Sequence, residues 1–279
     1  MSEILKENPH IVIYAILFLL TAIPLLRPLG LPISVSETTR KFFNVIDGIE
    51  EGDVIFFDIN FGPGSWPENG PEAVATIKHI WSKGGKILFF SLSSDGPQMY
   101  LKMMGRVTPP AGYEYGVDWV YLGFLSGGET AMAAITTDTW SLVKSDYQGK
   151  SFESLPLMQQ VRSAEDAKLL ICNTSGALAW AWVRQWYEPY KKPYLLLPIG
   201  IMVPSSAVYV EAGQIAALLP GSRGAAEYEI LIGRPGEAIT LTDTLSTQQV
   251  FLMIIIIIGN IIFLLEKTGR NPEKTRRTI

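Results

Sequence analysis

The sequence predicts an α/β domain: a mostly parallel, open sheet of about five strands with helices on both faces, flanked by two transmembrane helices. Three observations carry this. Short apolar runs at 53–60, 86–92, 118–124, 168–172 and 193–198 alternate with stretches of helical periodicity. The runs are continuously apolar, as strands covered on both faces should be. Two uncharged apolar runs, 11–26 and 250–265, bracket this pattern.

The elements follow in order. Residues 1–9 form a short polar tail, and 10–27 are the first predicted span. The run 11–26 makes about 24 Å of helix, against a hydrocarbon core of about 30 Å, so the flanking Pro9 and His10 are expected to extend it. The start of the chain holds Glu3, Lys6 and Glu7, which is not the basic opening of a signal peptide, and no small-residue cleavage site follows. The span is therefore read as an uncleaved anchor. Pro24 should bend or end this helix.

The domain is predicted over 28–248. After the turn Glu51-Gly52, DVIFFDIN (53–60) is the first strand. A Gly- and Pro-rich segment, 61–70, leads to Pro71 as the first residue of a helix. Val74, Ile77 and Trp81 share one face of that helix, and Gly84-Gly85 stop it. KILFFSL (86–92) is the second strand, followed by a turn at 93–96 and a helix over 97–104. The third strand, 118–124, leads through Ser126-Gly127-Gly128 into a helix over 129–137. The fourth, 168–172, turns through 173–176 into a helix over 177–187. The fifth is PYLLLP (193–198), and helices over 207–219 and 224–232 lead toward the second span, 249–265. Residues 106–116 and 147–154 are expected to be irregular insertions.

Charge places the domain. The net charge is −4, but the tail 266–279 carries Lys267, Arg270, Lys274, Arg276 and Arg277 against two glutamates. A basic tail directly after a span belongs on the cytoplasmic side. Two spans then put both termini in the cytoplasm and the domain outside the cell membrane. Arg27, Arg40 and Lys41 run against that orientation. The middle of the chain is acidic, which argues against nucleic acid as a partner. Asn260, inside the second span, either stays wet near the interface or hydrogen-bonds another helix.

The single cysteine, Cys172, is read as a small core residue. The two histidines, His10 at the edge of the first span and His79 on a helix surface, provide neither a zinc site nor a histidine-based triad. Residues 60–65 (NFGPGS) lack the third glycine of a dinucleotide fingerprint, and there is no P-loop lysine. No cofactor or metal is called for.

In an open parallel sheet the ligand crevice lies at the carboxyl ends of the strands. Four polar turns should meet there, and they supply the candidate ligand-binding residues: Asp58, Asn60, Gly62 and Gly64 from the first, Ser94, Asp95 and Gly96 from the second, Gly127, Gly128 and Glu129 from the third, and Ser175 from the fourth. Each turn precedes a helix N-terminus with free amides. Glu227 and Glu229, two apart on a helix, fall on different sides and make no carboxylate pair. Trp180, Trp182, Trp186, Tyr187 and Tyr190 crowd one predicted helix and cover more than one face, so some should meet another surface.

DVIFFDINFGPGS, a helix, then GGKILFF resembles the opening of membrane-bound serine peptidases of the signal-peptide-peptidase A type, in the ClpP–crotonase superfamily. LSGGETAMAA (125–134) is similar to that family's Ser-Gly-Gly segment. The resemblance implies Ser126 as nucleophile, amides around Gly62 and Gly64 as oxyanion donors, and a lysine base among Lys144, Lys150 and Lys168. The sheet would then be ClpP–crotonase-like rather than Rossmann-like. The segments DWVYLGFLSGGE and GSRGAAEYE are also similar to uncharacterised prokaryotic two-span proteins, which implies no activity. With no complete catalytic set, the expected role is a structural or interaction module in an oligomeric membrane assembly. Its expected partners are the bilayer and further copies or another membrane protein, with a small molecule in the strand-end crevice. A membrane-bound serine hydrolase and an extracytoplasmic ligand sensor are the alternatives.

Overall fold

Strand order, more than strand count, decides what this sheet can do. The computed structural model describes residues 9–269; the tail before Pro9 and the basic tail beyond Gly269 lie outside them. The chain divides into an α/β unit, Pro32–Ile239, and an apolar unit formed by the segments on either side.

The elements are α1 (Pro9–Leu26), α2 (Glu37–Asp47), β1 (Val54–Asn60), α3 (Trp66–Ser82), β2 (Lys86–Ser91), α4 (Gly96–Met104), β3 (Trp119–Phe124), α5 (Glu129–Leu142), β4 (Leu169–Thr174), β5 (Tyr194–Pro198), α6 (Val203–Glu211), β6 (Ala217–Leu218), α7 (Gly221–Leu231) and α8 (Glu237–Gly269). Single helical turns fill several of the connections. All six strands are parallel, in the order β3-β2-β1-β4-β5-β6.

Successive side chains of each strand enter opposite cores. Val54, Phe56, Leu88, Phe90, Leu170 and Cys172 face the side covered by α5 and the Trp182–Trp186 segment. Ile55, Phe57, Ile59, Phe89, Ile171 and Leu195 face the side covered by α2, α3, α4 and Tyr228 of α7. Both faces are buried, so the strands read as unbroken apolar runs. Cys172 is a fully buried free cysteine, as expected.

Several expectations are corrected. The helix placed at Pro71 begins at Trp66, with Pro67 in the first turn and Pro71 inside. Proline costs little in a first turn. Docking of that turn against the sheet offsets the hydrogen bond lost at Pro71, because Asn69 Nδ2 donates to Leu197 O at 3.0 Å and Thr174 O at 3.3 Å. The helix over 207–219 ends at Glu211; Gly213, at φ +71°, turns the chain, and Ala217–Leu218 add a sixth strand. The helix over 224–232 begins earlier, at Gly221. The helix over 129–137 continues to Leu142 with a break at Asp138, whose carboxylate accepts from Trp140 N and restarts the helix. Residues 177–187 are a 3-10 turn, Ala177–Trp180, and a π-helical turn, Val183–Tyr187. Trp182 and Trp186 are core, while half-buried Trp180 stacks on Tyr209 at 5.0 Å.

His79 is not a surface residue. It is 5% exposed, its Nδ1 lies 2.7 Å from Tyr228 Oη, and its ring stacks on Phe43 at 4.8 Å. Burial pushes its pKa down, against the pull of Asp47. Helix α2, which the sequence reading passed over, covers it. Ser36 caps α2 by accepting from Thr39 N, and Phe42 and Ile46 fill the core.

The GSRGAAEYE segment forms α7. Glu227 accepts from Ser36 N at 2.9 Å, Ser36 Oγ at 2.6 Å, Thr39 Oγ1 at 2.7 Å and Arg223 Nε at 2.9 Å. Burial raises its pKa, but these donors outweigh it and the net shift is downward. Glu229 accepts instead from the amides of Gly236, Ala238 and Ile239. The two carboxylates have separate partners, as their spacing implied. Glu227→Ala should cost about 3 kcal/mol by stranding the buried donors of α2. Chemical unfolding of the variant checks this; a loss below about 0.5 kcal/mol would remove the role.

The stretch Glu237–Leu265 is long and apolar enough to cross a membrane, and the apolar stretch His10–Leu26 is shorter. Pro24 lies inside α1, which continues to Leu26. Thr247 Oγ1 donates to Leu20 O at 3.0 Å and Gln248 Nε2 to Thr21 Oγ1 at 2.7 Å. Asp243 accepts from the amides of Gly30 and Leu31. Asn260 Nδ2 donates to Ile256 O of its own helix at 2.9 Å.

Candidate functional site

The crossovers after β1 and β2 lie on one face of the sheet, and those after β3 and β4 on the other. The chain therefore leaves the neighbouring strands β1 and β4 in opposite directions. A doubly wound sheet opens a crevice at such a point. The turns after β3, β2, β1 and β4 stand along this carboxyl edge in that order.

The first and second turns touch. A Cβ on Gly62 would fall 2.6 Å from Asp95 Oδ2, so the Asp95 side chain lies across Gly62. Gly96 is buried because Ser91 occupies the space a side chain would need. Ser91 Oγ lies 2.6 Å from Ile59 O and 2.7 Å from Ser93 O. Gly64, Ser94 and Asp95 are exposed. The first and fourth turns also meet, through Ser175 N donating to Asn60 O at 3.3 Å. Asn60, the last residue of β1, holds its side-chain Nδ2 buried with no hydrogen-bond partner.

Asp58 sits deeper than a crevice residue. It is fully buried, and its Oδ2 accepts from Trp182 Nε1 at 2.9 Å and from Cys172 Sγ at 3.4 Å, while Oδ1 has no partner. Burial pushes its pKa up to about 7, against the lowering effect of the Trp182, Cys172 and Leu92 donors. The donor Trp182 immediately precedes the π-helical turn, a feature that often accompanies functional sites.

The third turn stands further out. Ser126 and Gly127 are exposed, and Gly127 and Gly128 have φ of +118° and +55°. Glu129 makes a two-pronged ion pair with Arg184, both distances 2.9 Å, and accepts from Gln185 at 3.0 Å. The Arg184 guanidinium holds its carboxyl down to about 2. Lys168 pairs with Asp53 at 3.2 Å at the amino ends of the strands, the edge opposite Ser126. Lys150 lies over the Tyr115 ring.

Residues that the sequence reading did not select also gather here. Asn69, Glu72 and Thr76 of α3 are fully buried, as is Asn173 of β4. The sequence places Asn173 in a turn and Asn69 in a Gly- and Pro-rich segment; in the fold Asn173 lies within β4, and with α3 starting at Trp66, Asn69, Glu72 and Thr76 share one face of it. Among the described residues, no group of three or more His, Cys, Asp or Glu is arranged to hold a metal ion. Scans against protein-family models, curated proteins and solved structures find no match.

Proposed function

We propose that this chain is a membrane-tethered binding module whose α/β unit takes a small polar ligand at the carboxyl edge of its sheet, between β1 and β4. The observation that carries the reading is the strand-order switch with Asn60 Nδ2 buried and unpartnered beside it. A buried donor without a partner costs about 1–3 kcal/mol, and a ligand acceptor at the crevice removes that cost.

The tether follows from the helix long enough to cross a bilayer. In this reading α1 is a second span, the basic tail marks the cytoplasmic side and the domain lies outside. The module works within an oligomer or beside another membrane protein. The serine-hydrolase alternative has less support, since Lys168 pairs with Asp53 at the edge of the sheet opposite Ser126.

A panel of small polar metabolites should contain compounds that raise the melting temperature of the full-length chain in detergent. Asn60→Ala should weaken their binding at least about tenfold, the worth of one hydrogen bond to a buried group. Shifts of equal size in the variant would refute the crevice as the site. Fluorophosphonate labelling that disappears in Ser126→Ala would turn the assignment to a hydrolase.

A further inference from the structure

Within the apolar stretch of α8, residues 250–265, Asn260 is the only residue with a polar side chain. The stretch is about 24 Å long, shorter than a hydrocarbon core of about 30 Å. With α8 as a span, Asn260 therefore stands in hydrocarbon, about 7 Å from the nearer end of the stretch. An amide side chain offers one acceptor oxygen and two donor hydrogens. Asn260 uses one hydrogen, Nδ2 donating to Ile256 O at 2.9 Å, a carbonyl that the helix ladder already engages. Its Oδ1 and second hydrogen have no partner among the described residues. Water satisfies such groups in solution; a lipid tail cannot.

Helix α1 does not supply the partner. Thr247 and Gln248 bond to Leu20 and Thr21 of α1, and half-buried Phe251 and Ile255 continue that face of α8 one and two turns on. Asn260, five residues past Ile255, points about 140° away from it. Met253 and Ile257 precede Asn260 by seven and three residues, the alternating spacing of a helix–helix seam. Both are exposed, so the seam opposite α1 is uncovered.

We propose that α8 pairs with α8 of a second copy, the two Asn260 amides hydrogen-bonded to each other within the bilayer and Met253 and Ile257 packed along the same seam. The partner must present a donor and an acceptor at the depth of Asn260. A second copy does so by construction: chains inserted with one topology stand parallel, which brings residue 260 of each to the same level. Across a two-fold axis each amide donates its second hydrogen to the oxygen of the other, so both unpartnered groups are satisfied at once. The seam carries no charge that would select a different, oppositely charged helix. Polar side chains join membrane helices in this way. The pairing rests on the reading of α8 as a span and gives the proposed oligomer its contact; it is independent of the ligand crevice at Asn60.

The test uses the full-length chain reconstituted in liposomes over a series of lipid-to-protein ratios, with a cysteine introduced as Ile257→Cys on the seam or as Ile262→Cys on the Ile255 face. The native Cys172 is fully buried in the α/β unit and does not compete. Oxidation should cross-link Ile257→Cys into dimers and leave Ile262→Cys monomeric. Adding Asn260→Leu to Ile257→Cys should weaken association by about five- to thirtyfold, the worth of a hydrogen bond between membrane helices, read as a shift in the lipid dilution that halves the cross-link. Asn260→Gln, which keeps the amide, should retain more of the dimer than Asn260→Leu. Equal cross-linking at the two positions overturns the proposal, as does a dimer that Asn260→Leu leaves unchanged. Alkaline carbonate extraction separates the two ways of failing. A chain released from the bilayer removes the span and the pairing together, whereas a chain that stays embedded without dimers removes the pairing alone.

Discussion

Raising the pH from about 4 to about 8 should take about 4 kcal/mol of stability from the α/β unit through one side chain, Asp58. Its carboxyl titrates near 3.8 when exposed and at about 7 in the fold. The folded state therefore holds the proton more tightly than the unfolded state. The protonated form's contribution is complete below about 3.8, declines as the pH rises toward 7, and is gone above it. About three units at 1.36 kcal/mol each gives the magnitude. Burial is the cause, and the indole of Trp182 only moderates it. Glu72 and Glu229 are shifted upward as well and act in the same direction; Glu227 acts in the opposite one. Asp58→Asn keeps an oxygen for Trp182 and has no proton to lose. Urea titrations at pH 5 and pH 8 should show a large loss for the wild type, and a loss smaller by up to about 2.5 kcal/mol for the variant, since about two pH units of that window lie below the folded value. Identical losses would mean that Asp58 is not the group that titrates.

Trp182→Ala should destabilise the unit by about 3–5 kcal/mol. The side chain is fully buried, packs edge-to-face on Phe90 at 5.8 Å and gives Asp58 its nitrogen donor. Its loss leaves a cavity and a carboxylate with one donor fewer, so the Asp58 carboxyl should move further up. The comparison is Trp180→Ala, two residues away. Trp180 is only partly buried and stacks flat on Tyr209, an interaction worth about 0.5–1.5 kcal/mol beyond its area. The stability losses of the two variants, read from denaturant unfolding, should differ severalfold; equal losses would contradict the division of this segment into a buried and a half-buried tryptophan.

Much of the architecture was legible because it rests on strong local signals. The five apolar runs became β1 to β5 because strands buried on both faces admit few polar residues. Their turns do fall along one edge, and the irregular segments 106–116 and 147–154 were marked by their glycines and polar residues. The failures were of two physical kinds. Proline misled at Pro71, where tertiary docking through Asn69 holds a helix the local rule would start later. The helix over 177–187 gave way to a 3-10 turn and a π-helical turn, a change of winding that residue spacing does not mark, since Trp182 and Trp186 share a face in an α-helix as well. Strand order was not legible, since pairing between β1 and β4, more than a hundred residues apart, leaves no local trace. The buried oxygens of α3 were missed for the same reason: Asn69 and Asn173 come together only once the sheet has formed.

The measurement that tests the central claim most directly is native mass spectrometry of the full-length chain, released from nanodiscs made with its own membranes, for wild type and Asn60→Ala. The account predicts a small-molecule adduct of defined mass on the wild-type chain that is strongly reduced in the variant. An adduct retained equally by both, or absent from both after incubation with the compounds that shift the melting temperature, would contradict a ligand site between β1 and β4.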